Sequence, residues 1–261
     1  MGTLTVWLPL LFVAAMRPLG VMLLMPVFSN AMLGSALVRN ALALMATLPV
    51  LPLMTTLQVP DPWQQPAVFA WLVASELAIG FLLGFSASVP FWAIDAAGYV
   101  LDTLRGASIA GVLNPLMSGA QSSPLGVLFA QLISVLFMVS GGLHALLTSL
   151  FDSYRLLPPG QDWTFGHHFL PFLLRDWQTV YTLGLGFAMP AIVIMVLVDL
   201  GLGLINRTVQ QMNVFSLAMP IKSLAALLML LIAVQFGLQA VEQAFNRFDG
   251  GLVRALAVRH E

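Results

Sequence analysis

The chain contains no cysteine, so neither a disulfide nor a thiolate metal site can be built from it. Charge is scarce as well. Only 8% of its 261 residues are Asp, Glu, Lys or Arg, against about 25% in an ordinary soluble domain. Lysine occurs once, at Lys222, and the formal net charge is −1. That balance argues against nucleic acid as a partner and against polybasic attachment to anionic lipid. The Lys/Arg-rich start of a cleavable signal peptide is missing, and Ala14-Ala15 runs into Met16-Arg17-Pro18, so the first apolar run is expected to be retained. Catalytic signatures are absent too: no GxSxG, no Walker glycine loop and no HExxH. Lys222 and Ser223 are direct neighbours, and adjacent residues on a helix do not face one another, which leaves a Ser–Lys dyad unsupported. Asp162 and the pair His167-His168 lie on a loop without chelating spacing. An enzyme, a cofactor and a metal are therefore not expected.

What the chain has is apolar length. It is 59% hydrophobic with a mean hydropathy of +0.94, the composition of a polytopic membrane protein or of a subunit buried in an apolar assembly. Six apolar stretches, roughly 4–28, 41–59, 67–97, 125–151, 178–205 and 222–241, approach the length needed to cross about 30 Å of hydrocarbon as helices. Arg17-Pro18 interrupts the first, so Arg17 must find a partner or water, and Pro18 is expected to kink the helix. Pro49 and Pro52 break the second. Residues 169–182 read as a separate amphipathic segment along an interface, and Pro220 is expected to separate the stretch before it from the last span.

Two polar-bearing stretches stand out. The first, 98–126, carries Asp102, Arg105, Asn114 and Gln121 among Gly, Ser and Pro, yet keeps Ile109, Leu113 and Met117. Irregular, semi-apolar backbone between spans belongs where protein or a wet cavity can satisfy it, because lipid cannot. A loop in or across a passage and an extramembrane loop packed on its own helices are both open. Asp102 and Arg105 are spaced i, i+3 for an ion pair, and Asp95, Tyr99 and Asp102 fall on one helical face. The second stretch, 204–224, holds Asn206, Gln210 and Asn213 on one face, bracketed by Arg207 and Lys222. Basic residues in a short loop lean to the cytoplasmic side. Between these, Glu76, Gly80, Gly84 and Ser88 recur at four-residue spacing. Small residues so spaced let another helix come close, and a carboxylate on that seam must be protonated, paired or wet. A proton site and a packing seam with a polar lock both fit; the lack of a second carboxylate on that span favours the lock.

The order of several short motifs carries a resemblance: Glu76…Gly80…Gly84, LDTLRG (101–106), Asn114-Pro115, LPPG (157–160), FAMPAI (187–192) and above all NRTVQQMNVFSLAMPIK (206–222). Together they resemble the SctT/FliR family of type III secretion export-apparatus proteins, with the injectisome SctT nearer than the flagellar FliR. The resemblance implies an all-α protein of kinked helical hairpins in one export-gate domain, with a SctR-like part (1–175) joined to a SctS-like hairpin and tail (176–261). It implies assembly beside SctR/FliP-like and SctS/FliQ-like membrane subunits and a SctU/FlhB-like switch protein. Its site would be the bacterial inner membrane, in contact with lipid and partly raised toward the periplasm, and its cargo unfolded polypeptides. A plug over about 106–125 would include Gly106, Ile109, Gly111, Leu113, Asn114, Pro115, Met117 and Gly119. Packing and assembly positions would include Glu76, Gly80, Gly84, Asp102, Arg105, Arg207, Gln210, Gln211, Asn213, Pro220 and Lys222. The competing reading is a proton-coupled secondary transporter acting alone through Glu76, Asp95 or Asp199.

Overall fold

The computed structural model describes residues 2–54, 59–107, 123–161, 163, 166–167, 169–208 and 214–257. Among them all regular structure is helical. In chain order the helices are α1 (Gly2–Leu24), α2 (Asn30–Leu33), α3 (Ala36–Thr47), α4 (Leu51–Met54), α5 (Pro66–Leu104), α6 (Pro124–Val139), α7 (Gly142–Leu156), α8 (Phe169–Thr208), α9 (Val214–Asn246) and α10 (Gly251–Ala257). Short 3-10 turns at Pro26–Phe28 and Leu48–Val50 link the early ones. Among the described residues, five helical segments are long and apolar enough to cross a membrane, six if α6 and α7 count as one bent span. Helix is the form such sequences must take, because it satisfies every interior backbone group without water. The chain is an all-α polytopic membrane protein.

Several boundaries differ from those the sequence suggests. The proline-rich second run does break, into α3, the Leu48–Val50 turn and α4. The fourth run, expected as a clean span over 125–151, bends by 68° between α6 and α7. Gly141 takes φ +89° at the bend, a conformation that strains any residue with a Cβ. The segment 169–182, expected as separate and interfacial, is the start of the 40-residue α8. Pro220, expected as a break, lies inside α9, as Pro18, Pro90 and Pro190 lie inside α1, α5 and α8. Proline is tolerated in apolar helices when neighbouring groups re-satisfy the carbonyl it frees. The expected plug positions Ile109, Gly111, Leu113, Asn114, Pro115, Met117 and Gly119, and the expected assembly positions Gln210, Gln211 and Asn213, lie outside the described residues.

The chain packs into two units. The first, Met1–Val89 with Phe137–Trp177 and Phe245–Glu261, is centred on α1 and the first part of α5, with α7 across them. Val13, Ala14, Ile79, Leu83, Leu146 and Leu150 fill its core, and Phe137 meets Phe245 edge-on at 5.2 Å. The second, Pro90–Leu136 with Gln178–Ala244, gathers the later part of α5, most of α6 and the hairpin of α8 and α9. Ile94, Leu101, Ile133 and Val241 are fully buried in it, and Phe129 stands edge-on to Phe187 at 5.0 Å. The hairpin's register is fixed at two levels: Asp199 pairs with Lys222, and Gly237 lies against the Phe187 ring.

Candidate functional site

Two polar constellations are built into this apolar fold, one in each unit. The first surrounds Arg17. Its side chain has no exposure, and Glu76, with 1%, faces it from α5. The guanidinium grips the carboxylate in bidentate fashion: Nε donates to Oε2, and Nη2 donates to Oε1 at 3.0 Å. Nη1 donates to Ser153 Oγ at 3.2 Å, and Nη2 also donates to the Leu157 carbonyl. The face of Tyr154 lies 4.3 Å from Cζ, while its hydroxyl donates to the Ala14 carbonyl at 2.8 Å. Planar, permanently charged and forked, Arg suits such a site as Lys would not. One residue thereby ties α1, α5 and α7 together. It also fixes the LPPG segment, whose first carbonyl is the one it holds.

The seam around this pair is formed by small residues. Gly80 lies over the Arg17 backbone and Gly84 over that of Val21, while Ser88 Oγ reaches the Leu24 carbonyl at 3.3 Å. The contacts advance together along both helices, so α1 and α5 run parallel here. The helix that approaches the Glu76/Gly80/Gly84 seam is α1 of the same chain.

The second constellation is centred on Asp102, near the end of α5 and without exposure. Its Oδ1 accepts from Arg105 Nε at 2.7 Å. Its Oδ2 accepts from Ser123 Oγ and, at 2.9 Å, from the Leu125 backbone N–H. Ser123 Oγ in turn accepts from the Gly126 N–H at 2.8 Å, capping α6. One carboxylate therefore holds both ends of the 106–124 connection side by side. On the near end Gly106 has φ +81°, with the Met219 side chain 3.4 Å from where its Cβ would be. That contact brings the LDTLRG and AMPIK motifs together, which sequence spacing gave no means to see. Asp95 and Tyr99, two turns and one turn earlier on the same helical face, are exposed, whereas Asp102 is covered by the chain at Ser123 and Leu125.

We expect Asp102→Ala to lower stability by about 2–4 kcal/mol, since it orphans the Leu125 N–H and leaves the mostly buried Arg105 without its counter-ion. Proteinase K cleavage between 106 and 124 should accelerate alongside. Unchanged cleavage would mean that Asp102 does not hold the connection.

The remaining sequence candidates fall as follows. Lys222 Nζ pairs with Asp199 Oδ1 at 2.6 Å, joining α9 to α8. Arg207 is exposed in the last turn of α8, and Pro220 is exposed on α9. Among the described residues no three His, Asp or Glu side chains cluster as metal donors. Sequence reasoning asked for partners to Arg17 and Glu76 without pairing them, and it missed Ser153, Tyr154 and Ser123 altogether.

Comparison with known proteins adds a family. The sequence pattern of bacterial export proteins, family 1, matches residues 8–248. The secretion system apparatus protein SsaT of Salmonella typhimurium strain LT2 is 44% identical over 232 residues, which is 89% of each chain. The Yop proteins translocation protein T of Yersinia pestis is 34% identical over 212 residues, 80% of this chain and 79% of that one. The flagellar biosynthetic protein FliR of Escherichia coli K12 is 30% identical over 236 residues, 87% of each.

Proposed function

This chain belongs to the bacterial export proteins, family 1, the SctT/FliR family, and from that premise we propose that it is the SctT-like structural subunit of a type III secretion export gate. In this reading it sits in the bacterial inner membrane and helps form and close the channel through which unfolded polypeptides leave. Its partners are SctR-like and SctS-like membrane subunits and a SctU-like switch protein. The two parts taken from the resemblance, 1–175 and 176–261, describe likeness to SctR-like and SctS-like folds, a different matter from the two packed units.

The observation that carries the closing role is the Asp102 clamp. A connection whose ends are held together by a buried carboxylate, and whose near end rests on Met219 of α9, is suited to act as a plug on a fixed base. Helix lengths support partial elevation above the bilayer. α5 with 39 residues and α8 with 40 rise about 58–60 Å at 1.5 Å per residue. A bilayer offers about 30 Å of hydrocarbon, so much of each helix would need water or protein around it. The transporter reading draws less support: Glu76 is locked to Arg17 and Asp199 is tied to Lys222.

Shortening 110–120 should make membranes permeable to small solutes while the complex still assembles. Intact permeability in an assembled complex would overturn the plug. Native mass spectrometry of the co-expressed, detergent-extracted complex should find one copy of this chain among several copies of two partners. A monomer indifferent to them would return the question to a carrier acting alone.

A further inference from the structure

The first unit contains an apolar groove of about 430 Å³ walled by α1, α3 and the α6–α7 bend, and every residue lining it is apolar. Val21, Phe28 and Leu150 form its floor, while Met45 and Met138, 64% and 45% exposed, stand at its rim. The surface around that rim is apolar as well, with Leu44, Leu48 and Val139 exposed. Two polar atoms border the groove in sequence and are buried without a hydrogen-bond partner among the described residues: Arg39 Nε and Ser140 Oγ. Arg39 lies one helical turn before the lining residue Leu42, and Ser140 lies at the bend between the lining residues Met138 and Leu143. Arg39 is half-buried, and the one N–H of its guanidinium that is shielded from water has no acceptor, so an anion beside it would be favoured. Arg39 has no carboxylate partner among the described residues, unlike Arg17 and Arg105.

We propose that this groove is a binding site for one anionic glycerophospholipid, an acyl chain filling the apolar cleft and the phosphate bound by Arg39. A flexible acyl chain can follow the whole cleft, whose lining offers hydrocarbon contacts and no polar side chain. The methionines at the rim, unbranched and adaptable, suit a flexible hydrocarbon. The membrane supplies the ligand in excess, so even a weak site is filled by mass action. The proposal rests on the chain lying in a membrane and not on its place in a secretion gate.

The test uses the full chain in its co-expressed complex, extracted in mild detergent and read by native mass spectrometry. Phosphatidylglycerol adducts should persist on wild type. After delipidation, phosphatidylglycerol should bind more tightly than diacylglycerol of the same chains, which lacks the phosphate, and Arg39→Gln should weaken it about tenfold while leaving diacylglycerol within about twofold. Subunit stoichiometry appears in the same spectra, so failure of the lipid site and failure of the gate reading are told apart. A second arm needs no variant: phosphatidylglycerol with a diazirine at the acyl end should label wild-type α3 and α7 around Met45 and Leu147, and excess unlabelled lipid should suppress the labelling. Equal binding of the two lipids, labelling elsewhere, or capture of a polypeptide by a photocrosslinker placed at Leu147 would each overturn the proposal.

Discussion

Glu76→Leu is expected to be among the most damaging single substitutions in the described chain, lowering stability by about 3–5 kcal/mol, the usual effect of stranding one half of a buried ion pair. Arg17 would remain fully buried and charged, since a guanidinium does not give up its proton, with only Ser153, the Leu157 carbonyl and the Tyr154 ring around it. Arg17→Met should be milder, because a lone carboxyl can neutralise itself and Met occupies much of the vacated space. The double variant Arg17→Met/Glu76→Leu should recover most of the loss. It should still fall short of wild type by about 1–3 kcal/mol, because the Leu157 carbonyl at the end of α7 loses its donor. Thermal unfolding of the extracted complex, together with the amount of chain in the membrane fraction, measures all three. A Glu76→Leu protein that melts with wild type would show that the pair contributes no net stability. A double variant no better than Glu76→Leu alone would place the loss in packing rather than in charge.

The same pair marks how far the sequence could be read. Arg17 and Glu76 each stand out alone, as a cation in an apolar run and a carboxylate on a small-residue seam. Nothing local joins residues 59 positions apart; only the parallel docking of α1 on α5 does. Asp102 and Arg105 were legible as a pair because helical spacing brings them together. Ser123 and the Leu125 N–H were not, because they reach Asp102 across the intervening connection. Element type was legible throughout, since apolar runs of this length have helix as their one satisfied state among single segments. Breaks were less so. Proline marked a true interruption at Leu48–Val50 but not in α5, α8 or α9, and the sharpest bend falls at Gly141 instead. Whether a proline breaks a helix depends on what neighbours offer the freed carbonyl, which is a tertiary fact. Family membership was legible because motif order survives where contacts cannot be inferred.

The second large effect is expected at the seam itself. A Cβ on Gly80 would lie 2.9 Å from Arg17 Cα and closer still to its carbonyl oxygen; one on Gly84 would lie 2.8 Å from the Val21 carbonyl and 2.9 Å from Val21 Cα. These neighbours are backbone, so neither can rotate away. Gly80→Val or Gly84→Val must push α1 and α5 apart, adding about 1–3 kcal/mol of overpacking to whatever part of the Arg17–Glu76 pair the separation breaks. Because the pair and the seam share one interface, the two effects should couple: Gly80→Val should do less harm in the Arg17→Met/Glu76→Leu background than in wild type. Gly186 and Gly201 on α8 provide the contrast, with open space around the Cβ position. In the isolated chain Gly186→Ala and Gly201→Ala should be neutral or stabilising by about 0.5–1 kcal/mol, the helical preference of Ala over Gly. Unfolding midpoints and membrane yields for the four variants separate the cases. Equal losses at Gly80 and Gly186 would refute close approach as the reason for the seam. A Gly186→Ala loss confined to the assembled complex would instead identify that exposed face of α8 as one that another subunit covers.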